Sequence, residues 1–395
     1  MSPATLVSTD DLARWAADDR SARPDRLARV RARMEREGVD AYFGVHAEHA
    51  RYLTGFELVD GEEKVAGNSG WFLVTHDDVV VLADSRYAEQ AREQCPEARI
   101  AEAYHDLPSR WPELTRGHRR VAAEADRIPQ TLWTQLAGAA PAVELVAVEG
   151  WLAADRAIKE PSELERVAAA CAIADAALRA LLPSIRPGAT EAALALDLEW
   201  AMRTTGAEAL AFDVACLSGP RAALPHGSPG ARRIAAGEVL LFDFGAQVGG
   251  YRSDMTRTLF VDEPSADDLA LYELVRGAQQ AAIDALTSAA AEGRSPGGRS
   301  VDAISRAVIE AAGHGEHFGH GLGHGIGLAT HEAPTLGRRA SDDPLPSPTV
   351  FSVEPGVYLP GVTGVRIEDL VIFDPSVGRC ERITRFPREV VVVGA

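Results

Sequence analysis

Leu240–Phe260 reads LLFDFGAQVGGYRSDMTRTLF. Two apolar, β-favouring runs flank Gln247-Val248-Gly249-Gly250, the pattern of a hairpin closed by a four-residue turn. Closed there, Asp243 stands directly opposite Asp254, and both side chains leave the same face of the ladder. Like charges across a ladder repel. The apolar neighbours Leu240, Leu241, Phe242, Met255 and Leu259 argue for burial. A cation between the two carboxylates is one expectation; two acids on a solvated face is the other.

The rest of the chain bounds the choice. At 395 residues it is long for a single core, so two domains are expected. A hydrophobic content of 46% with 25% charged residues is ordinary globular composition. A net charge of −18 speaks against nucleic acid, whose phosphates need clustered Lys and Arg. No apolar run approaches the roughly 20 residues that span a bilayer. The early arginines (Arg20, Arg23, Arg26, Arg29, Arg33, Arg36) are interspersed with acids, unlike a transit peptide. Cys95, Cys171, Cys216 and Cys380 show no paired spacing and read as reduced thiols of a cytoplasmic protein.

Taken in order, residues 1–155 alternate short strands and helices, an N-terminal α/β domain. An Arg-rich helix over 24–37 ends at Gly38; strands follow near 41–45, 71–75, 79–83, 121–124 and 143–148, with Asp84 or Ser85 capping a helix through Gln94. Residues 150–160 form a connector, because Pro161 suits the first turn of the next helix. Residues 156–395 then show one order of elements twice. A long helix (161–182), Pro187-Gly188, a Thr190-capped helix and the Asp243/Asp254 hairpin come first. A helix from Ser265 to about Ala291, Pro296-Gly297, a Ser300-capped helix to Ala312 and strands carrying Glu354 and Glu368 come second. Two half-domains related by approximate symmetry would bring both acidic β pairs to one centre.

The second pair has its own local logic. Alternation puts Val350, Ser352 and Glu354 on one strand face, and Arg366, Glu368 and Leu370 on another. Arg366 can therefore hydrogen-bond carboxylates around it. Alone this reads as a structural Arg–Glu pair; with Asp243 and Asp254 converging, four buried carboxylates on one Arg would be costly. Between the pairs lies GHGEHFGHGLGHGIGLATHE, Gly313–Glu332, with His314, His317, His320, His324 and His331. Its glycines permit positive φ and close backbone approach. No Gly-Lys-Ser/Thr follows, against a phosphate loop. Pro334 speaks against a zinc-peptidase helix at His331-Glu332.

LFDFGAQVGGYRSDMTRT, HGLGHGIGLATHE, SVEPGVY and GVRIED, in that order, resemble the pita-bread metallopeptidases of the Xaa-Pro branch, aminopeptidase P and prolidase. RYLTGF (51–56) and ADSRYAEQA (83–91) extend the resemblance into the first domain. It implies an α+β protein: a pita-bread, creatinase/aminopeptidase-like domain with an internal pseudo-twofold repeat, preceded by a smaller creatinase-like α/β domain. It also implies two divalent metals held by Asp243, Asp254, His324, Glu354 and Glu368. Asp254 and Glu368 would bridge, Asp243 would serve one ion, and His324 with Glu354 the other. The carboxylate excess leans towards Mn²⁺, with Co²⁺ and Zn²⁺ as alternatives. His226 (in LPHGS), His320 and His331 match histidines that contact substrate and stabilise the oxyanion. Glu354 matches the proton shuttle, and Arg366 the group that orients the carboxylates.

The implied activity is removal of an N-terminal residue whose neighbour is proline, from short peptides and as a homodimer. Xaa-Pro dipeptidase activity is the alternative. Prolidase-like sequences often read His-Glu-Xaa-Pro-Arg, whereas Thr335 follows Pro334 here and Arg338 or Arg339 would have to substitute. Pro346-Ser347-Pro348-Thr349 also departs from the family's Gly-Met. Creatinase, C–S lyases, other amide hydrolases and non-catalytic binding proteins share the scaffold; the intact ligand set disfavours the first and last.

Overall fold

The computed structural model describes residues 6–58, 66–103 and 106–394. Two compact units emerge, residues 13–155 and residues 1–12 with 156–395. Residues 6–12, assigned by the sequence to the N-terminal domain, thus go with the second unit, where Leu6 N–H donates to the Thr205 carbonyl at 3.3 Å.

In the first unit the apolar runs form β1 (Ala41–Gly44), β2 (Phe72–Thr75), β3 (Val79–Ala83), β4 (Arg99–Glu102), β5 (Arg120–Glu124) and β6 (Glu144–Val148), ordered β4-β3-β2-β1-β5-β6. β1 and β3 are buried at every position, as central strands covered on both faces should be. The Arg-rich helix spans Thr9–Glu37, starting well before residue 24, because Ser8 and Asp11 cap each other reciprocally. The helix Ala88–Gln94 lacks the predicted Asp84 or Ser85 cap. Asp84 instead accepts from the Arg86 backbone and guanidinium, each at 2.7 Å.

In the second unit Pro161–Leu181 opens on a proline whose missing N–H is no loss in the first turn, and Glu160 and Glu163 complete a capping box. Contrary to the sequence reading, Pro161–Ser184 is long and apolar enough to cross a membrane by length and composition. Half of its most apolar stretch is buried inside the protein, with Val167, Cys171, Ile173 and Leu178 fully covered, so it is a core helix. Thr190 caps Glu191–Thr205 and Ser265 caps Ala266–Ala291. Ser300, expected as a cap, lies inside Gly298–Ala311. Gly297 is the N-cap of that helix, a position where a Cβ would stand 2.5 Å from Asp342 Cα.

Each acid pair has its own set of sheets. β8 (Ala215–Ser218), β9 (Val239–Phe244), β12 (Met255–Val261) and β20 (Val392–Val393) form one, ordered β20-β12-β9-β8. β7 (Ala209–Leu210), β10 (Ala246–Val248) and β11 (Tyr251–Arg252) extend the hairpin as β11-β10-β7. The second half has β13 (Gly323–Gly325), β14 (Glu332–Leu336), β15 (Thr349–Val353), β18 (Asp369–Asp374) and β19 (Arg379–Arg382), ordered β14-β13-β15-β18-β19, plus the ribbon β16 (Gly356–Leu359)–β17 (Thr363–Arg366).

The hairpin register corrects the sequence reading. Val248 pairs with Tyr251, so the turn is the two residues Gly249-Gly250, with φ of 52° and 79°. Only such a turn needs two positive φ values in succession, which two glycines supply without strain. Asp243 consequently faces Thr256 rather than Asp254. A slip of two residues keeps Asp254 on the same face, because side chains alternate with period two. In the other half Val353 pairs with Asp369 and Gly356 with Arg366. Glu354 and Glu368 therefore fall opposite one another in the gap between the two ladders.

Candidate metal centre

His324 lies on β13 between β14 and β15. The neighbouring strands come too close for side chains: a Cβ on Gly323 would stand 1.9 Å from the Ser352 carbonyl oxygen, and one on Gly325 2.1 Å from that of Ala333. Close approach is the use of these glycines. Of the glycines in 313–332, only Gly313 has positive φ. The His324 N–H donates to Ser352 Oγ at 3.0 Å, and Nδ1 faces the Gly325 carbonyl at 3.1 Å, which turns Nε2 to the carboxylates. Nε2 is 3.3 Å from Glu354 Oε1 and 3.7 Å from Asp254 Oδ2. Asp254, His324 and Glu368 each place a donor atom within 4.8 Å of the others.

Arg366, 4% exposed, ties the acids together from behind. Its Nη2 donates to Asp243 Oδ2 at 2.5 Å, Nε to Thr256 Oγ1 at 2.8 Å and Nη1 to Tyr358 Oη at 2.8 Å. Thr256 passes its own proton to Glu368 Oε2 at 2.7 Å, and Ser352 donates to Glu354 Oε1 at 2.9 Å. Tyr358 also meets His320 Nε2 at 2.9 Å, while His320 Nδ1 faces the Gly321 carbonyl at 2.7 Å. The imidazole thus bridges the phenol and the Gly321 carbonyl, and burial lowers its proton affinity.

After these bonds, Asp243 Oδ1, Asp254 Oδ1 and Glu368 Oε1 remain buried without a hydrogen-bond partner. An unpartnered buried carboxylate oxygen costs several kcal/mol. Burial, then the neighbouring carboxylates, push Asp254 and Glu368 well above the usual carboxylate range; burial raises Glu354 also. Burial lowers His324. Oxygens left over on adjoining acids, beside an imidazole nitrogen, are donors of the kind that could hold a divalent cation. The residues fit the metals that the sequence resemblance implies.

Of the outer histidines, His331 is exposed, with its ring centroid 4.2 Å from that of His324. Desolvation of its ring lowers its proton affinity, and His226 is exposed in the 224–228 loop. His314 and His317 pair with each other at a centroid distance of 5.5 Å beside a 3₁₀ turn. Sequence reasoning assigned no role to Ser352, Thr256 or Tyr358. Ser352 lies two residues from Glu354, which it supports, and strand alternation could have flagged it; Thr256 supports the distant Glu368, and Tyr358 joins Arg366 to His320.

A second group, His46, His49 and Glu124, also brings donor atoms within 4.8 Å. Glu124 Oε2 accepts from Val45 and His46 N–H at 2.6 and 2.9 Å, and Oε1 from Tyr42 and His49. Its lone pairs are spent on the start of the helix Ala47–Thr54, which makes it a structural hub.

Residues 165–375 match metallopeptidase family M24, and residues 26–158 match the creatinase/prolidase N-terminal domain. An Xaa-Pro dipeptidase of Pyrococcus horikoshii is 31% identical over 360 residues, 91% of this chain and 96% of its own. A solved Xaa-Pro dipeptidase from Bacillus anthracis is 34% identical with a TM-score of 0.82, over 93% of this chain and 99% of that one. An X-Pro aminopeptidase from Thermotoga maritima is 31% identical with a TM-score of 0.81, over the same shares. With the carboxylate–imidazole centre in its second unit and these matches across both, the chain belongs to metallopeptidase family M24, a pita-bread domain preceded by a creatinase-type N-terminal domain.

Proposed function

We propose that the protein hydrolyses the Xaa-Pro bond at the N-terminus of short peptides, using about two divalent cations held by Asp243, Asp254, His324, Glu354 and Glu368. The observation that carries this is the trio of orphaned buried oxygens on Asp243, Asp254 and Glu368. When bound, the ions polarise the scissile carbonyl and supply a nucleophilic water near neutral pH. The carboxylate-rich set favours Mn²⁺ over Co²⁺ or Zn²⁺.

The chain's own residues supply the rest. Ser352 fixes the Glu354 carboxyl beside His324, where it can hand a proton to the departing nitrogen. Proline leaves as a secondary amine and needs that proton. His331, its ring against that of His324, can donate to or orient the substrate, whereas His320, with both ring nitrogens engaged by Tyr358 and the Gly321 carbonyl, can act on it by position. An Xaa-Pro bond has no N–H, so a site that grips the carbonyl rather than that proton suits it.

One feature supports peptides longer than two residues: Thr335 stands where prolidase-like sequences carry an arginine. The dipeptidase reading has its own support: similar proteins bear that name, and Arg338 and Arg339, which share a cavity with His320, offer cations for a proline carboxylate. Side-by-side hydrolysis of an Xaa-Pro dipeptide and an Xaa-Pro-Xaa tripeptide tests the choice. The aminopeptidase reading expects the higher kcat/KM on the tripeptide; a reversed order assigns a dipeptidase, and cleavage of neither overturns both.

A further inference from the structure

His331 is exposed, so burial does not hold its ring against His324; its place has to come from the backbone that carries it. The next residue is the anchor. The Glu332 side chain is 8% exposed and accepts from both the Arg156 guanidinium and the Lys159 ammonium, 7% and 1% exposed. The cations are themselves fixed: Lys159 Nζ donates to the Arg156 carbonyl at 2.7 Å, and the Lys159 backbone N–H to the Pro348 carbonyl at 2.8 Å. The loop between β13 and β14 folds onto this trio. A Cβ on Gly327 would stand 2.4 Å from Glu332 Oε1 and 2.8 Å from Lys159 Nζ, and Ala329 N–H donates to Glu332 at 3.4 Å. On its other side Arg252 holds Thr330 Oγ1 at 3.0 Å.

A buried ion cluster is a weak device for stability, because apolar residues of similar volume often do as well; what it adds is fixed geometry. We propose that Arg156, Lys159 and Glu332 form a buried ionic latch that positions His331 beside His324 for contact with the substrate. The latch rests on the reading of His331 as a substrate contact given above. Arg156 and Lys159 are positioning residues, acting through Glu332 and the loop, and neither belongs to the five-residue donor set.

A double-mutant cycle in the full-length, metal-loaded protein tests this. Lys159→Met keeps the aliphatic stem; it is made alone and together with His331→Ala. Readouts are kcat/KM on an Xaa-Pro peptide, bound metal and thermal melting. Each single change should lower kcat/KM about tenfold or more, yet the double variant should fall within about threefold of His331→Ala, since residues acting as one unit are not additive. Metal content should stay unchanged, and Lys159→Arg should restore most of the activity. Full activity in Lys159→Met, loss of metal, or factors that multiply in the double variant would overturn the latch while leaving His331 as a contact. An inert His331→Ala overturns the reading of His331 itself, and the latch with it. Should Lys159→Met not fold, Glu332→Gln, which keeps volume and removes the charge, takes its place in the cycle. Failure of both to fold would assign the trio to the fold and end the proposal.

Discussion

Without a cation the centre holds acids that burial and mutual repulsion drive towards their protonated forms. The sign follows. A carboxylate whose folded pKa is raised contributes stability below its unfolded value and loses it as pH rises through the folded one. Metal-free protein should therefore weaken towards neutral and alkaline pH, and cation binding should expel protons. Calorimetric titration of metal into chelator-stripped protein, in buffers of different ionisation heat, should show net proton release and tighter binding as pH rises. Zero proton exchange at every pH would contradict the assignment. Thr256 is the hydroxyl through which Arg366 and Glu368 communicate. Thr256→Val should cost about 10–100-fold in metal affinity or activity, the usual scale for a group orienting a ligand; unchanged metal affinity and turnover would remove Thr256 from the centre. Asp243→Asn and His324→Ala remove ligands themselves, and should lower kcat roughly 10³-fold with an unchanged circular dichroism spectrum. Near-normal turnover in either would defeat the ligand assignment.

The elements that hold these residues are short ladders threaded through glycines. A Cβ on Gly245 would stand 1.9 Å from the Ser253 carbonyl oxygen, in the gap between Asp243 and Asp254. Gly245→Ala should therefore destabilise by about 1–3 kcal/mol in denaturant titration and loosen metal binding with it; wild-type stability would show that the ladder tolerates spreading there. The same hairpin marks where sequence reading reaches its limit. The acids, their shared face and their burial were legible from alternation and from apolar neighbours. The register was not, because Gln247-Val248-Gly249-Gly250 admits either a four-residue or a two-residue turn. The two positive φ values at Gly249 and Gly250 decide it. Part of the support is tertiary: Thr256 meets Arg366 and Glu368, and Tyr358 meets His320, only when strands distant in sequence adjoin. Ser300 misled for a local reason, since Gly297 already starts its helix.

At the scale of the whole chain, one order of elements occurs twice. Helices Pro161–Leu181 and Glu191–Thr205 precede the first acid pair, and Ala266–Ala291 and Gly298–Ala311 precede the second. The repeated order was readable from the sequence because a Pro-Gly pair precedes the second helix of each half. That the halves converge was an inference from symmetry; the structure supplies it through Arg366, which touches Asp243 of the first half while carried by the second. Such an arrangement makes the centre a property of the complete second unit. Metal analysis by mass spectrometry, on protein purified without chelator, is therefore the most direct measurement. About two divalent ions per chain are expected, falling in Asp254→Asn and Glu368→Gln variants that keep the native fold; a native protein carrying no ion, and gaining none when Mn²⁺, Co²⁺ or Zn²⁺ is offered, would contradict the account at its root.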